Sequence, residues 1–275
     1  MRRVVVGVAC AVLLIGCGGP DRSPEKKASD QPIDAMVDIG GRKLHLVCDG
    51  SGSPTVILEA GLTGDNRTWD AILPEVASKT RVCAYDRANI EPSESAPTPR
   101  TARDVVADLH ALVGAGKVDP PYVLVGFSFG GLVSQLYAST YPDDVAGLVL
   151  VESNHPDEVE QFEAELTSAQ IKRDRQEANA NPEGVDLFAS FEQVQDAPKL
   201  PDRPLVVITA GKPAEWPPGW DAEVFNRLRA AQQKDLVDRV SDGSQVIAKQ
   251  SAHDVPASDP QIIVKGIETV LAKAD

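Results

Sequence analysis

The sequence predicts an α/β protein: a mostly parallel eight-stranded sheet with helices on both faces and a small helical insertion. Three observations carry that expectation. Short apolar runs rich in β-branched residues recur along the chain, and most are separated by segments with helical spacing. One run, Tyr122-Val123-Leu124-Val125, closes in Gly126-Phe127-Ser128-Phe129-Gly130-Gly131 and leads straight into Leu132, Val133, Leu136, Tyr137 and Ala138. From Pro156 to about Asp202 the composition turns charged and glutamate-rich, too long a connection between two strands to be mere loop. A chain of 275 residues has room for one large domain and an insertion of this kind.

The first residues differ in kind from the rest. Met1-Arg2-Arg3 is basic, Val4 to Ile15 is apolar but too short for a stable membrane span, and Leu14-Ile15-Gly16-Cys17 follows. The pattern resembles a bacterial lipoprotein signal peptide with its lipobox over residues 1–17. That resemblance implies cleavage before Cys17, lipid on its thiol and attachment at the outer face of the membrane; an ordinary secretory signal or a noncleaved anchor is the alternative. Residues 18–33 are polar, with glycine, proline and charges of both signs, and read as a flexible tether. The net charge of −14 argues against nucleic acid or anionic lipid surfaces as partners, which leaves the N-terminal lipid as the expected membrane contact.

The elements follow in order. Met36 to Ile39 and Lys43 to Cys48, split by Gly40-Gly41, read as an antiparallel hairpin, with His45 structural inside its second strand. Thr55 to Leu58 is a strand that opens into Glu59-Ala60-Gly61-Leu62-Thr63-Gly64. Arg81 to Tyr85 is the next, followed by Asp86-Arg87-Ala88-Asn89 in a scaffolding role and a proline-rich loop to Arg100. Thr101, with Asp104 three residues on, starts a helix whose Val105, Leu109, Leu112 and Val113 share one face, with His110 off it. After the serine turn a helix runs to about Thr140, and the strand Ala146 to Val151 ends in Glu152-Ser153-Asn154-His155-Pro156. In the insertion, Phe162, Leu166, Leu187, Phe188 and Phe191 are read as apolar contacts with either the core or an acyl group, core packing being preferred. Pro204 to Ile208 and Gln245 to Lys249 complete the sheet around a helix from Asp221 to Val240. Ser251-Ala252-His253-Asp254 follows, then Asp259-Pro260 as cap and first-turn proline of a closing helix.

A serine at the apex of so tight a strand-to-helix turn needs very small residues two positions either side, because a Cβ there would strike the opposite limb. Gly126 and Gly130 meet that need. On these residues the chain resembles an α/β-hydrolase of the serine esterase and lipase type, from about Met36 to the C-terminus. The resemblance implies a core of residues 34–152 and 204–275 and a helical cap of 153–203. It gives Ser128 the role of nucleophile, His253 that of general base, and the backbone amides of Leu62 and Phe129 that of oxyanion donors. Glu152, at the sheet edge where open parallel sheets gather their sites, is the first choice for the acid. Many members carry the acid after the next strand, which keeps Glu215 as second choice. The usual histidine-glycine of the oxyanion loop is Ala60-Gly61 here, and the glycines common after Tyr-Asp-Arg are absent.

In such a fold the strands bearing Cys48 and Cys83 are neighbours, so a disulfide between them competes with two free thiols. The activity implied is cleavage of a carboxylic ester or related acyl bond through an acyl-enzyme on a small-molecule substrate. The alternatives are an inactive, surface-tethered binding protein or a perhydrolase or C–C hydrolase using the same triad. No cofactor is expected, and the sequence holds no His-Glu-x-x-His or Cys/His cluster that would suggest a metal. Acyl length and oligomeric state stay open.

Overall fold

Alternation along the strands decides which residue meets which helical layer. The computed structural model describes Met1 and residues 31–274. Cys17, the apolar run of the leader and nearly all of the tether lie outside the described residues. The chain runs β1 (Ile33–Asp38), β2 (Lys43–Asp49), β3 (Thr55–Glu59), α1 (Leu73–Ala77), β4 (Val82–Tyr85), α2 (Ala102–Ala115), β5 (Tyr122–Phe127), α3 (Phe129–Thr140) and β6 (Val145–Val151). It continues through α4 (Glu158–Glu163), α5 (Ser168–Ala178), α6 (Leu187–Gln195), β7 (Leu205–Ala210), α7 (Ala222–Asp238), β8 (Gly243–Ala248), α8 (Val255–Ser258) and α9 (Pro260–Leu271).

The strands form one sheet in the order β1-β2-β4-β3-β5-β6-β7-β8. β1, β2 and β4 pair antiparallel, and every pairing from β4 through β3 to β8 is parallel. Along β5, Tyr122 and Leu124 face the layer of Leu109, Leu112, Leu132 and Leu136 from α2 and α3. Val123 and Val125 face the other, where α1 and α9 supply Val76, Ile263, Ile267 and Val270. Burying a side chain of this size contributes roughly 1.5–3 kcal/mol, so the two layers are the main source of the fold's stability. Thr101 and Asp104 form the reciprocal cap expected at the start of α2.

Three details depart from the sequence reading. β1 begins at Ile33, inside the stretch assigned to the tether and ahead of Met36, because the whole of β2 is available to pair and Ile33 sits opposite Cys48. Asp259 stands at the start of α9 but its side chain makes no capping bond; Asp254 instead caps the extra turn α8 through the Ala257 amide at 3.2 Å. In the loop after Arg87 the missing glycine is replaced by Asn89 at φ 72°, a conformation asparagine tolerates better than most residues. Cys48 and Cys83 lie directly opposite one another on β2 and β4, with Cα atoms 4.1 Å apart, and are joined as a disulfide.

Candidate active site

Ser128 sits at the junction of β5 and α3 with φ 54° and ψ −121°, a backbone conformation that costs on the order of 1–3 kcal/mol for a residue with a side chain. The surroundings hold it there. A Cβ on Gly126 would run into the Gly130 carbonyl and the Ser134 hydroxyl, and one on Gly130 into the carbonyls of Glu59 and Ala60. The Ser128 amide donates to the Val151 carbonyl at 3.0 Å, and its own carbonyl accepts from the amides of Gly131 and Asn154 at 2.9 and 3.3 Å. The hydroxyl therefore projects from a fixed corner.

His253 reaches that corner from the loop between β8 and α8. Its Nε2 lies 3.1 Å from Ser128 Oγ, although 125 positions separate the two in sequence. The loop is braced where Ser251 accepts from the Lys212 amide at 3.0 Å and the Ser251 amide donates to Ala248 at 3.0 Å. Nδ1 points the other way, 3.5 Å from Glu152 Oε2. With the proton on Nδ1, Nε2 is the lone-pair nitrogen facing the hydroxyl. Partial desolvation of the ring, about half of which stays exposed, followed by the nearby Arg229 guanidinium, holds its pKa below the ordinary 6.5, against the opposing pull of Glu158 and Asp254.

Glu152 is buried at the end of β6 with φ 46°, and it accepts from the Ala210 amide at 2.5 Å. Arg229 of α7 pairs with the same oxygen that faces His253. Glu215, the second choice for the acid, lines the neighbouring cavity walls, whereas the ion pair of His253 among the described residues runs to Glu152.

The amides of Leu62 and Phe129 have no acceptor among the described residues, and both residues border the same cavity as Ser128. What shapes the Leu62 loop is Arg87. Its guanidinium donates to the carbonyls of Ala60 and Gly61 at 2.7 and 2.6 Å and to the carboxylate of Glu59 at 2.6 Å. A second carboxylate, Glu183 from the insertion, takes the rest of the fork and also accepts from the Thr63 amide. Tyr85 donates to Glu59 from below. Asp86 has a separate bracing task, accepting from the Asn66 amide and side chain at 2.7 Å each and meeting His45 Nδ1 at 2.7 Å.

A cavity of about 380 Å³ opens beside Ser128. Phe162, Leu166, Leu187, Phe188 and Phe191, read from the sequence as contacts with the core in preference to an acyl group, all line it. The reason is that α4, α5 and α6 overhang the sheet edge instead of packing wholly onto it, and only Phe191 of the five is fully buried against the core. Trp216 and Trp220, from the loop before α7, close the same roof against Phe162. Glu158, Glu183 and Arg229 had no motif to mark them. Their positions arise from tertiary contacts between segments far apart in the chain.

A model of the alpha/beta hydrolase fold family matches residues 54–201, more than half of the chain. The chain belongs to the α/β-hydrolase family. An uncharacterized protein of Bacillus subtilis, YqjL, is 25% identical to this α/β-hydrolase over 244 residues, covering 82% of this chain and 86% of that one. Among solved structures, a thermophilic esterase from Thermogutta terrifontis aligns with TM-score 0.61 at 20% identity, over 89% of this chain and 99% of that one. The haloalkane dehalogenase DatA from Agrobacterium tumefaciens aligns with TM-score 0.64 at 17% identity, over 88% and 96%. Likeness at that identity establishes the shared hydrolase fold and leaves the chemistry to the site.

Proposed function

We propose that this α/β-hydrolase is a serine hydrolase that cleaves a carboxylic ester, or a related acyl bond, through an acyl-enzyme on Ser128. The observation that carries the reading is the line of contacts from Ser128 Oγ to His253 Nε2 at 3.1 Å and from His253 Nδ1 to Glu152 at 3.5 Å. A free serine hydroxyl is a poor nucleophile, and an adjacent imidazole must remove its proton as the bond to the carbonyl carbon forms. His253 takes that proton and passes it to the leaving alcohol as the carbon–oxygen bond breaks. Water then attacks the acyl-enzyme, giving its proton to His253, and the same proton returns to Ser128 as the acid departs. Glu152 orients the imidazole and balances its transient charge. The Leu62 and Phe129 amides are the donors for the tetrahedral oxygen, where losing one such donor commonly costs about 10²–10³ in rate.

The experiment is Ser128→Ala assayed on a short nitrophenyl ester. Turnover should vanish, and an unchanged rate ends the proposal. A second reading, a binding protein that has lost its chemistry, draws on one feature: Arg229 competes with His253 for the same oxygen of Glu152. A fluorophosphonate probe separates the two, because only an activated serine is labelled.

We further propose export, with Cys17 as the lipid-bearing residue. The Cys48–Cys83 disulfide supports an oxidising compartment. Incorporation of labelled palmitate into the wild type, lost in Cys17→Ser, is the expected result; equal labelling of both rules out that thiol.

A further inference from the structure

The wall of the cavity that faces Ser128 has an unusual chemical balance. Its far side is aromatic: the Trp216 and Trp220 rings lie nearly parallel with centroids 6.0 Å apart, and Phe162 stands edge-on to both at 5.4 and 6.3 Å. Glu158, Glu163, Asp174 and Glu215 also line it, and among the described residues no lysine, arginine or histidine does. Arg175 engages Glu163 at 2.6 Å and lies over the Phe188 ring, and among the described residues Glu158, Asp174 and Glu215 have no ion-pair partner.

Glu158 is the one that matters most, because it borders this cavity and the adjoining one, where Lys212, Arg229 and His253 stand with Glu152. It is held by neutral donors only, the Asn154 side-chain amide at 2.9 Å and the His155 amide at 3.4 Å. Burial pushes its carboxyl up to about 7 against the hydrogen bonds and the His253 ring, and Asp174 is raised as well, by burial first and then by Glu163 and Glu177, against Arg175. Neither carboxyl forms an ion pair among the described residues, the pulls of His253 on Glu158 and of Arg175 on Asp174 being outweighed by burial, and a cationic ligand would supply a direct partner. The aromatic wall alone would suit any apolar chain, and carboxyls alone would be ordinary on an acidic protein. Together, π faces and carboxylates around one cavity suit a cation and disfavour an anion.

On the reading of Ser128 as nucleophile, we propose that the substrate carries a cationic group, a protonated amine or a quaternary ammonium, and that Glu158 with the Trp216–Trp220 wall selects it. Glu158 is a specificity-determining residue in this scheme and takes no part in bond making.

The test compares isosteres that differ only in charge. One pair carries the difference on the alcohol: the butyrate esters of choline and of 3,3-dimethylbutanol. The other carries it on the acyl group: phenyl esters of 4-(trimethylammonio)butanoic acid and of 5,5-dimethylhexanoic acid. Binding to the full-length Ser128→Ala protein is followed by calorimetry or by tryptophan fluorescence, which reads the preference without requiring turnover. In at least one pair the cationic member should bind about tenfold or more tightly. Adding Glu158→Gln should bring that ratio to within about threefold of one. Trp220→Leu, in a partly exposed loop, should also lower it and serves if the glutamate variant fails to fold. Equal binding in both pairs, or tighter binding of the neutral members, overturns the inference, as does a cation preference that survives both substitutions. Fluorophosphonate labelling of the wild type is scored separately. Labelling without charge preference leaves the hydrolase reading standing and removes this one; charge preference without labelling removes the hydrolase reading and, with it, the cation's role as substrate, leaving a cation-binding cavity.

Discussion

Arg87 of the core and Glu183 of the helical insertion meet through two hydrogen bonds, Nε to Oε2 at 2.8 Å and Nη2 to Oε1 at 2.7 Å, with both side chains almost wholly buried. The pair ties the roof of the cavity to the loop that presents the Leu62 amide, since the same guanidinium holds the carbonyls of Ala60 and Gly61. Breaking one partner of a buried ion pair typically costs about 3–5 kcal/mol, because the remaining charge is left uncompensated. Glu183→Gln should therefore lower the melting temperature. It should also lower kcat for a nitrophenyl ester at temperatures where the protein is still folded, with the KM changing less, because the Thr63 amide loses its carboxylate acceptor. A variant that melts early but keeps the wild-type kcat would limit this pair to stability.

Glu152 and Glu215 can be separated by the same assay. Glu152 faces His253 Nδ1 and is anchored by the Ala210 amide, so a glutamine there disturbs both the orientation and the charge balance of the imidazole. Glu215 only lines the cavity. Glu152→Gln should reduce kcat by on the order of 10²–10⁴, and Glu215→Gln by less than about tenfold on a neutral ester. A larger loss in Glu215→Gln would transfer the acid's role to that residue.

The parts of this site that could be read from the sequence are those governed by local sterics and chain order. The Gly126-Phe127-Ser128-Phe129-Gly130 turn admits few conformations, and a histidine just past the last strand has few places to go, so Ser128 and His253 were identifiable before they could be seen to meet. The eight strands were legible from their apolar runs, with ends misplaced by a few residues because pairing partners decide where a strand stops. For Phe162 and Phe188 the sequence leaves core and acyl-group contact both open, because an aromatic side chain that roofs a cavity and one that fills a core look alike in a helical pattern, and the preference for the core does not hold. Arg87 was recognisable as scaffolding, but its partners Glu59 and Glu183 are 28 and 96 positions away, and nothing local announces them. The same holds for Arg229 beside Glu152.

The pH dependence should report the environment of His253. Only the neutral imidazole can accept the serine proton, so kcat/KM falls as pH drops through the pKa of this ring. Partial desolvation and Arg229 lower that value from 6.5, and the acidic limb should accordingly lie below 6.5. Glu158 opposes the shift only in its ionised form, and with its carboxyl pushed up to about 7 it is largely neutral where the limb lies. Glu158→Gln should therefore move the limb little. Rate profiles of the two proteins on a neutral ester would check both statements; a wild-type limb above 6.5, or a large move in the variant, contradicts the assignment.

The Cys48–Cys83 disulfide gives the last expectation. It closes a loop with a sequence separation of 35 that contains β3, the Ala60–Thr63 loop and α1. Cross-linking a loop of that size restricts the unfolded chain by about 4 kcal/mol in the chain-entropy account. For a domain this large, each kcal/mol moves the melting temperature by roughly 2–4 °C, so replacing both cysteines with alanine should lower it by about 8–15 °C. Reductant should have the same effect on the wild type and none on the double variant, which separates the bond itself from the loss of two buried side chains. Because β2 and β4 remain paired by their backbone and the Arg87 cluster still holds the Ala60–Thr63 loop, turnover of a nitrophenyl ester well below the melting transition should fall by less than about threefold. A melting temperature unchanged by reductant would mean that the sheet edge is fixed by its backbone pairing and packing without the bond. A large loss of activity at low temperature would instead place the disulfide among the supports of the Leu62 amide.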